Sequence, residues 1–445
     1  MAVTSSSTSQ TRRQILRTLF ISLLLDLLSF TLILPLFPAL LAHYQSLEAD
    51  YDHPTLLRST FAQLNAFKAA FSRPISSRFD VVLLGGALGS LFSLLQAVAA
   101  PVIGALSDKY GRRTALLYSM AGNLLSVLIW VFAVDFATFV ASRVVGGLSE
   151  GNVQLAIAIA TDVSGEEDRG AALALVGVAF SVAFTVGPMV GAVMAGRKVM
   201  RENPFAAAAG FSLFLLVVET VYLYFMLPET KPAAAASSDV KEDEDKRSNE
   251  EKEEKEQSLT LLSVTHFLFL LVFSGMEFSL TFMTYDLFSF TSRDNGRLLG
   301  FVGLTASLLQ GSFTRRAPPH TVVKTGLLSA AAAFLLLSRI NTVRMLYVAA
   351  FFLAVTSATV VTGLTALASL RVAKGERGRR LGGFRGAGQI GRACGPVLFC
   401  SLYWWAGREV AYVVGGGSMV VVMAVAWGGL NAGAAAVTRR GKKEQ

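Results

Sequence analysis

Apolar stretches, each long enough to cross a lipid bilayer, recur along this chain. They lie at Ile15–Leu41, Asp80–Ile103, Thr114–Ala133, Phe136–Ala160, Gly170–Ala195, Pro204–Leu227, Leu259–Tyr285, Arg297–Phe313, Thr321–Arg339, Arg344–Leu370, Leu381–Ala406 and Glu409–Val437. A helix needs about twenty mostly apolar residues to span a hydrocarbon core of roughly 30 Å. The chain is therefore expected to be an all-α integral membrane protein of twelve transmembrane helices. Composition points the same way: 53% of the 445 residues are hydrophobic and 16% charged, too little polar surface for a water-soluble globule of this size.

The formal charge of +9 does not mark a nucleic-acid binder, because the cations sit in short clusters between apolar runs and not on one polar domain. Cys394 and Cys400 are six positions apart on different faces of one predicted helix, so neither a disulfide framework nor a zinc site is expected. The four histidines form no metal or catalytic cluster. No enzyme activity, metal or cofactor is expected. The first apolar stretch carries Asp26 midway, is too long for a signal peptide, and reads as a retained helix.

Lys and Arg collect in one alternate set of connections: Arg12, Arg13 and Arg17 before the first stretch, Lys109, Arg112 and Arg113 after the second, and Arg315 and Arg316 after the eighth. Arg371, Lys374, Arg377, Arg379 and Arg380 follow the tenth, and Arg439, Arg440, Lys442 and Lys443 the last. Short basic loops stay cytoplasmic, which puts both termini on that side. Pro228–Gln257 is rich in Glu and Lys without an apolar face and reads as a solvated tether, with a regulatory segment as the alternative. It divides the chain into a tail (1–14), a six-helix bundle (15–227), the linker (228–257), a second six-helix bundle (258–437) and a tail (438–445). Two such halves around a central path are a transporter plan, with a small-molecule substrate and the bilayer as partners and a monomer as the unit. In the outer connection His43–Arg78, Leu57, Phe61, Leu64, Lys68 and Phe71 recur at helical spacing. A short amphipathic helix along the membrane face is expected there, with a gate as the alternative.

Four segments carry motif-like chemistry. After the second stretch comes Gly104-Ala105-Leu106-Ser107-Asp108-Lys109-Tyr110-Gly111-Arg112-Arg113. Gly104 permits close backbone approach, Asp108 suits a helix N-terminus, Gly111 permits a tight turn, and the cations anchor a cytoplasmic face. In the fourth stretch, Arg143-Val144-Val145-Gly146-Gly147-Leu148-Ser149-Glu150-Gly151 buries an arginine among small residues, where an ion pair with Asp26 or Glu150 is one reading. The fifth contains Gly177 and Gly187-Pro188-Met189-Val190-Gly191, and the eleventh repeats the pattern as Gly391-Arg392-Ala393-Cys394-Gly395-Pro396. These glycines admit close helix packing and the prolines weaken the helix locally.

The decapeptide 104–113 resembles the cytoplasmic-loop signature of the major facilitator superfamily. That resemblance implies the major facilitator fold, two pseudo-symmetric six-helix bundles, and a conformational latch in which Asp108 engages the other half and Arg112 or Arg113 pairs with Asp162. The corresponding second-half loop, Gly311-Ser312-Phe313-Thr314-Arg315-Arg316, keeps a glycine and cations without the acid. The fourth stretch resembles the superfamily motif whose arginine is associated with proton coupling. The fifth resembles that of its drug:proton antiporters, with Ala183 in place of another glycine. Leu25–Leu32, Gly146–Val153, Gly177–Met189, Phe273–Glu277 and Arg392–Pro396 resemble the tetracycline-transporter-like branch, which is associated with organic-anion and drug efflux.

Asp26, Glu150, Glu277 and Arg392 fall near mid-membrane, with Arg385 nearer the cytoplasmic end. Charges at that depth mark substrate or ion paths. Arg385 and Arg392 are seven apart and share a helix face suited to an anion, and Glu277 is placed to carry a proton or to neutralise Arg392. Phe30, Phe180 and Phe278 are candidate cavity walls. The function expected is proton-coupled efflux of small organic anions or amphipathic drug-like compounds by alternating access. A facilitative carrier and a non-transporting receptor or scaffold are the alternatives. The plasma membrane and an organelle membrane fit equally.

Overall fold

The computed structural model describes residues 2–33, 36–48, 55–70, 80–195, 200, 203–230 and 245–441. The first half contains α1 (Ala2–Thr31), α2 (Phe37–Leu47), α3 (Leu56–Ala69), α4 (Asp80–Tyr110), α5 (Arg112–Val131), α6 (Phe136–Ser149), α7 (Asn152–Val163), α8 (Arg169–Ala195) and α9 (Ala206–Met226). The second contains α10 (Asp245–Phe288), α11 (Ser292–Leu309), α12 (Pro319–Ser338), α13 (Val343–Leu370), α14 (Arg377–Ala406) and α15 (Arg408–Gly441).

Nine of the described helices are long and apolar enough to span a membrane by themselves. The remaining three crossings of the twelve-helix fold are informative in how they fall short. The fourth is split into α6 and α7 at Glu150 and Gly151, leaving pieces of 14 and 12 residues. The eighth, α11, closes in a π-helical turn at Gln310–Thr314. The eleventh, α14, dilutes its apolar residues with Arg385, Arg392 and glycines. Broken or polar crossings mark function, since lipid tolerates them only where protein or water covers them.

Two expected boundaries shift. The first stretch is not continuous to Leu41: α1 ends at Thr31, and α2 starts anew at Phe37 with Pro38 in its first turn, where the missing N–H costs nothing. Helix α10 starts at Asp245, so the last part of the 228–257 linker is helical backbone continuous with the seventh crossing; the linker residues 231–244 lie outside the described residues. The short outer helix exists as α3, capped by the Thr55 hydroxyl on the Arg58 N–H. Its apolar face packs on the protein: Leu57 is fully buried, Phe61 and Leu64 pack on the core, and Phe67 meets Trp404 of α14 edge-on at 6.3 Å. Lys68 ties it to Asp80 at the start of α4. Phe71 lies outside the described residues.

Small residues determine how the halves are built and joined. Within the first half, α8 reaches α1 at Gly187, where any Cβ would collide with Thr31, whose hydroxyl donates to the Ala183 carbonyl at 3.0 Å. The equivalent pair in the second half is α14 on α10: Gly391 lies against the Phe267 carbonyl and Gly395 against Leu271 and Ser274. Between halves, α4 and α14 run backbone to backbone, Gly104 on Gly378, Ala100 on Gly382 and Ala97 on Gly386. The other seam joins α8 to α11, where Ser181 donates to Gln310 at 2.7 Å and Gly303 faces Thr185. An even number of crossings returns the chain to its starting face, so the ends of α1 and α15 share one face with residues 104–113.

Candidate functional site: an interhalf latch and a buried charge cluster

At the face that carries the chain ends, the Asp108 carboxylate accepts from the backbone N–H groups of Gly378 at 2.9 Å and Arg379 at 2.7 Å. These are orphan donors in the first turn of α14, where the helix dipole favours an anion. Only backbone as bare as Gly104 and Gly378 lets the two helices close enough for this contact. Arg112, almost fully buried, pairs with Asp108 at 2.7 Å and with Asp162 at 2.8 Å. Asp162 also takes Arg377 of the second half at 2.9 Å, so one carboxylate at the end of α7 holds a cation from each half. Arg377 further donates to the Thr161 carbonyl, and Arg169 to that of Ser369, at 3.1 Å each. Arg113 goes elsewhere: it donates to the Tyr224 carbonyl at 2.7 Å and lies over the Tyr224 ring.

Gly111 has φ of 103°, a left-handed conformation that disfavours a side chain. The Glu229 carboxylate fills the space a Cβ would need and accepts the Arg112 N–H at 2.7 Å. Nearby, hydrogen bonds to Glu256 and Glu376 hold the Arg380 guanidinium above its ordinary range. Neither Arg377 nor Glu229 carries a sequence signal that assigns it to this site. In the sequence Arg377 is one loop cation among several, and Glu229 opens a segment whose acids look uniformly solvated.

Deeper in the first half, three carboxyl groups gather at the level of the α6–α7 break. Asp26 of α1 is buried and accepts from Asn152 Nδ2 at 2.9 Å. Glu150, at the break itself, accepts from Asn123 Nδ2 at 3.1 Å. Glu219 of α9 has no exposed surface and accepts from the Ser22 hydroxyl at 2.6 Å. Ser119 stitches the broken helix by donating to the Ser149 carbonyl and accepting from the Gly151 N–H, which leaves the Glu150 side chain directed inward. Glu219 was overlooked in the sequence, although a single acid within Ala206–Met226 satisfies the rule that singled out Asp26.

The facing charge comes from α14. Arg385 lies within electrostatic reach of both Glu150 and Asp26. Arg392 is two turns farther on the same face, and both point away from the apolar surface formed by Ile390, Val397 and Leu398. Gly378, Gly382 and Gly386 turn towards α4, and Gly388, Gly391 and Gly395 towards α10. The arginines therefore occupy the sector between those two helices, opposite lipid. Arg392 and Glu277 are both exposed and form no ion pair with one another among the described residues. Phe278, next to Glu277, reaches across to Gly86 of α4.

Arg143 stands apart from this cluster. Its guanidinium lies 5.5 Å from the Trp130 ring centroid and 5.6 Å from that of Phe139, with Nε donating to Ser142 at 3.2 Å. Cation–π contact replaces the ion pair with Asp26 or Glu150 that its sequence context suggested. Phe30 stacks near Phe92, and Phe180 on Phe184, as interhelical and intrahelical packing respectively. Gly177 faces Gln310 and Thr362 across the α8 seam, while Pro188 and Pro396 sit inside α8 and α14, and Gly191 is buried. Among the described residues no three His, Cys, Asp or Glu side chains converge as a metal site does.

Comparison with known proteins names the family to which this two-half helical fold belongs. The Major Facilitator Superfamily model matches residues 19–338. The chain belongs to the major facilitator superfamily. It is 34% identical to mouse major facilitator superfamily domain-containing protein 10 over 90% of both chains. The crystal structure of the human organic anion transporter MFSD10 (TETRAN) superposes with a TM-score of 0.82 at 32% identity, covering 93% of this chain and 99% of that one. The class D tetracycline resistance protein of Salmonella ordonez is 24% identical over 85% of this chain and 87% of its own. The protein is thus a multi-pass membrane transporter and not an enzyme.

Proposed function

We propose that this transporter couples protons to the export of small organic anions or amphipathic compounds by alternating access, as a monomer with both termini cytoplasmic, in the plasma membrane or an organelle membrane. The observation that carries this reading is the placement of Arg385 and Arg392 on the inner face of α14, with Arg385 opposite Asp26 and Glu150. Two cations on one face provide a site for an anion at mid-depth. The acids provide the coupling, because the charge they carry determines how tightly Arg385 is held within the protein. By reciprocity, an anion that engages Arg385 changes how readily those acids take up a proton. Basic loops on the latch face support its assignment to the cytoplasm, which makes the arrangement described here closed towards the cytoplasm. The name of the human relative, an organic anion transporter, supports the same substrate class.

The test is flux of labelled organic anions in vesicles reconstituted with the purified chain, under an imposed pH gradient of either sign. Accumulation that follows the gradient and fails in Arg385→Ala and Arg392→Ala supports the reading. Saturable flux indifferent to the gradient identifies a facilitative carrier instead, and absence of saturable flux for every anion tried sinks the anion assignment.

A further inference from the structure

Glu219 is the most deeply buried acid of the described bundle, and the latch and the arginine pair do not account for it. It sits on α9, which faces lipid on its other side through Phe214, Val217, Val218, Val221 and Phe225. One carboxyl oxygen accepts from Ser22; the other, Oε2, is buried and has no donor. The helices packed on α9 bring no cation to this depth. From Thr18 to Thr31, α1 contributes Asp26 as its one charged group, and α5 beyond Arg113 and α8 beyond Arg169 contribute none. The titratable groups within reach are Asp26 and Glu150, both acids. Two more buried acceptors nearby, Oδ1 of Asn152 and Oδ1 of Asn123, also lack donors. The pocket is thus rich in acceptor oxygens and short of hydrogens.

Ser22 and Asp26 are one turn apart on the same face of α1, so the carboxyl that Ser22 holds is Asp26's neighbour across the helix pair. Two buried carboxylates so placed, with one arginine facing only one of them, cannot both carry charge at acceptable cost. We propose that Glu219 is a proton-binding carboxyl that shares one proton with Asp26 during the transport cycle. With the proton on Glu219, the negative charge rests on Asp26 and holds Arg385. When the O–H bond of Glu219 breaks and the proton adds to an Asp26 carboxylate oxygen, the pair keeps its net charge. The negative charge then retreats from Arg385 to α9, leaving Glu150 as the one facing acid and the guanidinium less tightly held against an incoming anion. The inference rests on the proton-coupled reading above, yet its chemistry can be read without transport.

The decisive measurement is infrared difference spectroscopy of the full-length protein in vesicles during a pH titration. A protonated carboxyl C=O band is expected in the parent, absent in Glu219→Gln, and its pH of disappearance is expected to move in Asp26→Asn. Ser22→Ala, which removes only the hydroxyl, is expected to raise the band's frequency by freeing the C=O, and serves if Glu219→Gln does not assemble. In flux assays Glu219→Gln is expected to lose pH-driven accumulation by about ten-fold or more while downhill exchange persists. A band unchanged in both Glu219→Gln and Ser22→Ala, or no such band in the parent, overturns the assignment. A Glu219 band in a chain whose flux ignores the pH gradient overturns the proton-coupled reading and leaves the carboxyl assigned.

Discussion

Neutralising Asp108 is expected to open the latch. In Asp108→Asn the side chain keeps one acceptor oxygen, so of the two bonds to the Gly378 and Arg379 N–H groups one is lost and the other loses its charge assistance. A hydrogen bond to a charged group contributes about 1.5–3 kcal/mol and a neutral one about 1 kcal/mol. The closed arrangement therefore loses roughly 2–5 kcal/mol, about thirty-fold to a few thousand-fold in its equilibrium against the open one. Arg112 does not restore the loss, because its pairs with Asp108 and Asp162 lie within the first half. The assay is a spin-label distance distribution between cysteines placed at Lys109 and Gly383, with Cys394 and Cys400 changed to alanine. Both label sites are exposed, and Gly383 has open space around its Cα. A single short distance in the parent is expected to give way to a predominantly long one in Asp108→Asn. Distributions that agree within a factor of two would refute the claim that these two amide contacts stabilise the closed arrangement.

Other perturbations separate the parts. Gly378→Val forces a branched side chain into the Gly104 carbonyl and Ser107, and the same label pair is expected to report separation even with Asp108 intact. Arg143→Gln removes a cation held by two aromatic faces, worth about 1–2 kcal/mol. A thermal midpoint lowered by a few degrees with pH-driven flux retained would agree with a structural role, and loss of coupling alone would support a role in proton coupling. Glu229→Gln leaves shape but removes charge beside the Arg112 N–H; it should raise the long-distance population less than Asp108→Asn does, because Glu229 makes its contact within one half.

The sequence made the crossings legible because a span is a matter of length and apolarity, and the latch motif because its glycines and acid are adjacent in the chain. What it concealed were partners far apart in sequence. Arg377 reaches Asp162 across 215 positions, and nothing in a run of loop cations distinguishes the one that becomes buried. Arg143 invited an acid as partner, whereas the neighbours that claim it, Trp130 and Phe139, read in sequence as ordinary apolar residues. The break at Glu150 was equally invisible, since Ser149, Glu150 and Gly151 interrupt an apolar run without a proline to announce the stop. Glu219 is different in kind: its signal, one acid in a helix otherwise fit for lipid, was present throughout.

Helix α14 begins at the amides that Asp108 grips and carries Arg385 and Arg392 farther along, before its proline at 396. From Gly378 to Arg392 is about 21 Å of unbroken helix at 1.5 Å per residue. A rod of that length pivoting about its anchored end by 10° sweeps the far guanidinium through about 3.6 Å, more than the reach of a hydrogen bond. The Asp108 contact and the arginines of the proposed binding site are thus two points on one lever. On the proposed reading, a solute that draws Arg392 towards itself applies torque to the Asp108 contact, and release of that contact alters the geometry felt by the solute, without any messenger between them.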